Sequence, residues 1–174
     1  MKTIGVISDT HGLLRPEALE ALRGSDLILH AGDIGAPEVL ERLRVIADVV
    51  AIKGNNDRDP WARNISETAT VSVEGVEIYI IHNVHDLDFN PAAAGVRVVV
   101  SGHSHMPSIA EKNGVIYLNP GSAGPRRFKL PIAVARLQID GQSVRDKIIT
   151  LDVNTAEKKS LTSPKRRHIK NSAF

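Results

Sequence analysis

Cysteine is absent from the 174-residue chain. That excludes disulfides, zinc knuckles and thiol catalysis, and it fits a reducing compartment. Aromatic residues make up only 3%, so no obvious base-stacking platform for nucleic acid is present. Trp61, Phe89 and Phe128 remain available to line a pocket. No apolar run reaches the roughly 18 residues expected of a membrane span. Met1-Lys2-Thr3-Ile4 leads directly into a strand pattern, and no signal peptide is expected. These absences point to a cytoplasmic protein without membrane association.

An excess of one charge is also missing, since the formal net charge is only +2. That balance hides an asymmetry. Residues 154–174 carry Lys158, Lys159, Lys165, Arg166, Arg167 and Lys170 against one acid, Glu157. The preceding 153 residues hold 16 basic and 19 acidic groups, a net of −3. The basic character is therefore a property of residues 153–174, which read as a mostly disordered, solubilising tail. The alternative is an electrostatic tether for nucleic acid or a protein partner. Only Phe174 is aromatic there, so specific nucleic-acid recognition is not favoured. Residues 1–152 have the length and ordinary composition of one domain with its own core.

Within that domain, five short apolar runs each end on a polar cluster. Ile4–Ile7 precedes Asp9-Thr10-His11, and Leu27–Leu29 precedes Gly32-Asp33. Val49–Ile52 precedes Gly54-Asn55-Asn56-Asp57, Ile78–Ile81 precedes His82-Asn83, and Val98–Val100 precedes Gly102-His103-Ser104-His105. Runs this short and rich in Val and Ile read as strands buried on both faces. Pro16 and Pro37 open two amphipathic segments between the first three runs, as proline suits the first helical position. Strand–helix alternation of this kind predicts parallel pairing through right-handed crossovers. Further on, Glu74-Gly75, Asn113-Gly114 and Asp140-Gly141 each mark a hairpin turn. The expected architecture is α/β, two mixed sheets packed face to face with helices outside.

Ligands of open α/β sheets bind beyond the carboxyl ends of the strands. Five strand ends would thus deliver Asp9, His11, Asp33, Asn55, His82, His103 and His105 to one place. Each residue alone has an ordinary explanation: Asp33 could cap the helix that follows, and Asn55 could be a turn residue. Three histidines beside two carboxylates favour a metal. A mixed Asp/His/Asn set suits Mn, Fe, Ni or Zn better than Mg or Ca, which prefer oxygen alone. Seven ligands exceed one tetrahedral ion and suit a dinuclear centre, a known device for hydrolysis at phosphorus. Asp57 could orient the loop and His30 could support the ligands from behind.

The ordered set Asp-x-His, Gly-Asp, Gly-Asn-x-Asp, strand-end His and Gly-His-x-His resembles the calcineurin-like metallophosphoesterase superfamily. Asn119-Pro120-Gly121-Ser122 with Pro125-Arg126 is similar to its small prokaryotic phosphodiesterase branch, which also contains a eukaryotic retromer subunit. The resemblance covers residues 1 to about 152 and implies a four-layer α/β/β/α sandwich of two mixed sheets flanked by helices. It also implies two divalent metal ions, with Mn the first choice and Ni, Fe or Zn as alternatives. One ion would take Asp9, His11, Asp33 and His105. The other would take Asp33, Asn55, His82 and His103, so that Asp33 bridges. By the same resemblance a hydroxide between the ions attacks a small phosphodiester, with Asp33, Asn55, His82 and His103 as the catalytic set. Asn55, Asn56 and Arg126 are the expected substrate contacts, although Arg126 could be a solvated loop arginine beside Arg127.

Two positions depart from the family pattern. Many members carry a histidine after Gly-Asn, placed to assist the leaving group, where this chain has Asn56. Asparagine supplies no proton at neutral pH, which favours diesters over monoesters. Asn83 stands where glycine is common and could narrow the pocket or bond a substrate. A catalytically weak scaffold for protein partners and a nuclease using the basic tail are the competing readings, and a homo-oligomer is left open.

Overall fold

The computed structural model describes residues 1–153; the expectation of a disordered tail lies outside the described residues. Three strands begin the fold: β1 (Lys2–Ile7), β2 (Leu27–His30) and β3 (Asp48–Ala51). They pair in parallel, with helices α1 (Pro16–Leu22) and α2 (Pro37–Arg44) in the connections. Both helices carry proline in their first turn, and both start at the expected residue. The second half is hairpin-rich. It contributes β4 (Thr68–Val73), β5 (Val76–Ile81), β6 (Val96–Val100), β7 (Ser108–Lys112), β8 (Val115–Asn119), β9 (Ala133–Asp140) and β10 (Ser143–Thr150). Glu74-Gly75 and Asn113-Gly114 both have positive φ at the two central turn residues, as a type I′ hairpin requires.

Two mixed five-stranded sheets result, with strand orders β10-β9-β1-β2-β3 and β4-β5-β6-β8-β7. The strand alternation sorts side chains by layer. Ile4, Val6 and Leu29 face a core shared with Ile78, Ile80, Val98, Val100 and Leu118 of the other sheet. Ile7 and Ile28 point the other way, under α1 and α2, against Leu22 and Leu43. Full burial of one such aliphatic side chain stabilises by about 1.5–3 kcal/mol. Gly5 lets α1 lie close to its strand, because a Cβ there would come within 2.7 Å of Leu22. Arg136 on β9 donates to the carbonyls of Ala21 and Arg23, satisfying the C-terminal end of α1. The outer face of the second sheet carries a smaller apolar cluster, Ile81, Val96, Val99 and Val115, packed against Val84 of a short 3-10 turn, Val84–Asp86. The α/β sandwich expected from the sequence is the one observed. Its consequence for function is positional: β1, β2 and β3 end beside one another, and β5 and β6 end beside one another in the facing sheet.

Candidate metal centre

All seven expected ligands meet at these strand ends. Asp9 is fully buried, and its Oδ1 lies 3.2 Å from His105 Nε2 and 3.9 Å from His11 Nε2. The two imidazole nitrogens are 3.3 Å apart. Asp33 Oδ2 lies 3.8 Å from His11 Nε2 and 3.4 Å from His82 Nε2. The His82 and His103 rings stand edge to face at 5.2 Å, and His103 Nδ1 is 3.2 Å from Asn55 Oδ1. Two groups of ligand atoms each fit within 4.8 Å: Asp9, His11 and His105, and Asp9, Asp33 and His82. Asp9 belongs to both groups, and Asp33, a member of the second alone, has Oδ2 within 4 Å of both His11 and His82.

Two buried polar atoms at this point lack a hydrogen-bond partner: Asp9 Oδ1 and His82 Nε2. Orphaned buried atoms of this kind are rare, and a missing ion is one explanation for them. The tautomers agree with that. His82 Nδ1–H donates to the Ala31 carbonyl at 2.7 Å, which leaves the Nε2 lone pair facing Asp33. A neutral imidazole nitrogen and a carboxylate oxygen both present lone pairs, so an intervening cation satisfies both. The donor set therefore fits divalent metal.

The ionisable groups of the centre respond to burial and to one another. Burial works against ionisation of Asp33, yet the neighbouring His82 ring and the hydrogen bond from the Asn56 backbone hold its carboxyl well below the usual carboxylate range. For His82, burial favours the neutral ring, but Asp33 and the Ala31 carbonyl outweigh it and raise the pKa. For His11, burial dominates and lowers the pKa against the pull of Asp33 and Asp9.

The supporting shell is where sequence reading was least informative. Ser8 Oγ–H donates to Asp9 Oδ2 at 2.7 Å, and the His103 backbone N–H donates to the same oxygen at 3.1 Å. Ser122 Oγ–H donates to the Asp9 carbonyl, and Asn119 Nδ2–H donates to the Gly102 carbonyl and Ser104 Oγ. None of Ser8, Asn119 or Ser122 had been given this role; the Asn-Pro-Gly-Ser motif was the available signal. Asp57 orients its loop as expected, accepting N–H bonds from Ile34, Gly35 and Gly54. Asn56, expected against substrate, is instead turned onto Asp33. Its backbone N–H donates to Oδ1 at 2.9 Å and its amide Nδ2–H to Oδ2 at 2.8 Å. Arg126 is exposed in a loop with Arg127, and it is the Arg127 charge that is felt at His11. His85, which is not among the candidate ligands, is exposed on the 3-10 turn. His168 is likewise not a candidate and lies outside the described residues.

Similarity to known proteins agrees with this geometry. Residues 1–142 match the model of the calcineurin-like phosphoesterase superfamily domain. A probable metallophosphoesterase of Methanothermobacter thermautotrophicus is 36% identical over 158 residues, covering 84% of this chain and 91% of that protein. A phosphodiesterase of Methanocaldococcus jannaschii is 27% identical over 136 residues, 68% of this chain and 82% of that one. Among solved structures, Vps29 of Entamoeba histolytica complexed with zinc superposes with a TM-score of 0.69 at 20% identity, covering 86% of this chain and 99% of that one. Fold, donor set and sequence agree: the chain belongs to the calcineurin-like phosphoesterase superfamily, a family of phosphoester hydrolases.

Proposed function

We propose that this protein is a metal-dependent phosphodiesterase acting on small phosphodiesters at a dinuclear centre. The observation that carries the proposal is the pair of buried carboxylates, Asp9 and Asp33, ringed by imidazoles with unpartnered Asp9 Oδ1 and His82 Nε2. Asp9, His11, Asp33 and His105 would hold one ion, and Asp33, Asn55, His82 and His103 the other. Mn is the first choice, with Ni, Fe and Zn as alternatives that the same donors accept. When bound, such a pair supplies an activated hydroxide and neutralises charge developing on the phosphoryl oxygens. The Ala31 carbonyl fixes the His82 ring, and Ser8 and the His103 N–H fix Asp9, so the donors are held in place beforehand. Asn55 and an arginine of the 126–127 pair are the proposed phosphoryl contacts, a guanidinium being able to grip two oxygens.

The diester preference rests on Asn56. Its side chain carries no transferable proton and is occupied by Asp33. A departing alkoxide of a monoester with a poor leaving group would find no acid there. The unit that carries this chemistry is proposed to be residues 1–152, with 153–174 a basic tail, in a cytoplasmic setting consistent with the lack of cysteine. A scaffold role is the second reading, favoured by the likeness in fold to Vps29.

The test is hydrolysis of bis-p-nitrophenyl phosphate against p-nitrophenyl phosphate, using metal-stripped protein with Mn, Ni, Zn or Mg restored in turn. Diester cleavage restored by Mn or Ni, with the monoester slow, is expected. Asp33→Ala should abolish it. Full activity in that variant would sink the dinuclear assignment. Metal binding without turnover for any ion would favour the scaffold.

A further inference from the structure

A cleft of about 420 Å3 opens beside the metal centre. His82 and His103 line its inner end, and Tyr79 lines its wall. His82 is only 6% exposed, and its Nε2 has no hydrogen-bond partner among the described residues. The cleft therefore ends at the candidate metal centre, where His82 Nε2 faces Asp33 at 3.4 Å. Three carboxylates also line it: Glu67, Asp86 and Asp88. Glu67 is paired with Lys53 at 3.7 Å. Asp86 and Asp88 form no ion pair among the described residues and are exposed. Lys53 also lines this cleft, and in the adjoining cleft Arg58 and Arg63 are matched by Asp57 and Asp59, so the excess of carboxylates is on this face.

We infer that this cleft is the subsite for one alcohol of the diester and that it takes an ammonium alcohol. The inference rests on the phosphodiesterase reading given above. The phosphoryl group belongs at the histidine end. The alcohol esterified to it then extends past Tyr79 toward Asp86 and Asp88. Two uncompensated carboxylates focus a negative potential in such a cleft. A nucleotide or polyphosphate extension would be repelled, and a cation attracted. Tyr79, held edge to face against Phe89 at 4.9 Å, adds an aromatic surface of the kind that receives quaternary ammonium groups. A diester of phosphate with an ammonium alcohol matches both ends of the cleft.

The experiment compares two diesters that share a p-nitrophenyl leaving group. One is p-nitrophenyl phosphorylcholine. The other is p-nitrophenyl 3,3-dimethylbutyl phosphate, the neutral isostere of the same shape. In both, the hydroxide oxygen bonds to phosphorus as the bond to p-nitrophenolate breaks. The kcat/KM ratio of choline to isostere in the Mn-loaded protein should be about tenfold, the scale of a partly desolvated cation–aromatic and carboxylate contact. The double variant Asp86→Asn, Asp88→Asn should bring the ratio toward one. A ratio cancels any loss of folded protein. Calorimetric binding of phosphocholine against 3,3-dimethylbutyl phosphate gives a readout without turnover and should show the same preference and the same loss. A wild-type ratio near one, with bis-p-nitrophenyl phosphate still cleaved, would overturn the inference alone. No cleavage of any diester would overturn the phosphodiesterase reading, and the binding preference would then decide the subsite by itself.

Discussion

His30 shows how a single buried residue couples the site to stability. Its Nδ1 accepts the Gly32 N–H at 3.2 Å. Nε2–H is then left to donate to Thr10 Oγ1 at 3.0 Å, and the threonine hydroxyl donates to the Ile34 carbonyl at 2.8 Å. The ring thus ties the loops after β1 and β2 together in one neutral tautomer. Burial, the largest effect, lowers its pKa from 6.5 to about 4, although Asp9 and Asp57 pull the other way. Between those pH values the unfolded chain binds a proton that the native chain refuses. Stability therefore rises with pH through that window and is lost as pH falls from 6.5 toward 4. The full difference is worth about 3 kcal/mol. His30→Gln keeps one acceptor and one donor but does not titrate. Urea denaturation from pH 7 to 4.5 should show a shallower loss in the variant than in the wild type. Parallel curves would assign the acid sensitivity to another group.

At the scale of elements, the strand-end loops carry the function and the strain. Of eight non-glycine residues with positive φ among the described residues, five are Asp9, His11, Asp33, His103 and His105. Asp and His tolerate such backbone better than most side chains, but it is still sparsely populated and persists where the surroundings hold it. That constraint is visible in the tight approach of the β6–β7 loop to the end of β1. A Cβ on Gly102 would collide with Ser8 Oγ and come within 2.6 Å of Asp9 Oδ2. Gly102→Ala must therefore displace the Gly-His-Ser-His segment or break the Ser8–Asp9 bond. We expect a stability loss of about 1–3 kcal/mol, typical of overpacking. A weakened affinity for Mn or Zn should accompany it, measured by calorimetry beside the thermal midpoint. An unchanged affinity would mean that the loop yields without moving His103 or His105.

For the whole molecule, the two sheets share one aliphatic core, and the site forms where strand ends from both sheets converge. No helix among the described residues is long and apolar enough to cross a membrane. Every proposed ligand, and the cleft beside them, lies within residues 1–153. The proposed boundary leaves the six basic residues of 154–174 outside the catalytic unit. Removing 154–174 should leave metal-dependent diester hydrolysis intact. Any weak, salt-sensitive retention on nucleic acid should fall, as counterion release from those charges is lost. Loss of hydrolysis on truncation would show that the catalytic unit extends past the proposed boundary.

Much of this was legible in the sequence. The apolar runs, Pro16, Pro37 and the Glu-Gly and Asn-Gly turns encode local structure through periodicity and backbone preference, which need no knowledge of distant neighbours. The seven residues stood out as candidates because each belongs to a polar cluster that follows a strand run. Other features depended on contacts between segments far apart in the chain. The insertion of β9 antiparallel to β1, and of β8 parallel to β6, is a choice among partners that only packing of the whole core can make. Asn56 read as a substrate contact, and only the approach of Asp33 turned its amide inward. Glu67 before β4 and Asp86 and Asp88 after β5 carry no shared motif, and the sheet alone brings them to one cleft. Local sequence thus determined the elements and the chemistry at their ends. The tertiary structure decided which ends meet and which charges face the space between them, because those are set by burial and pairing summed over the whole chain.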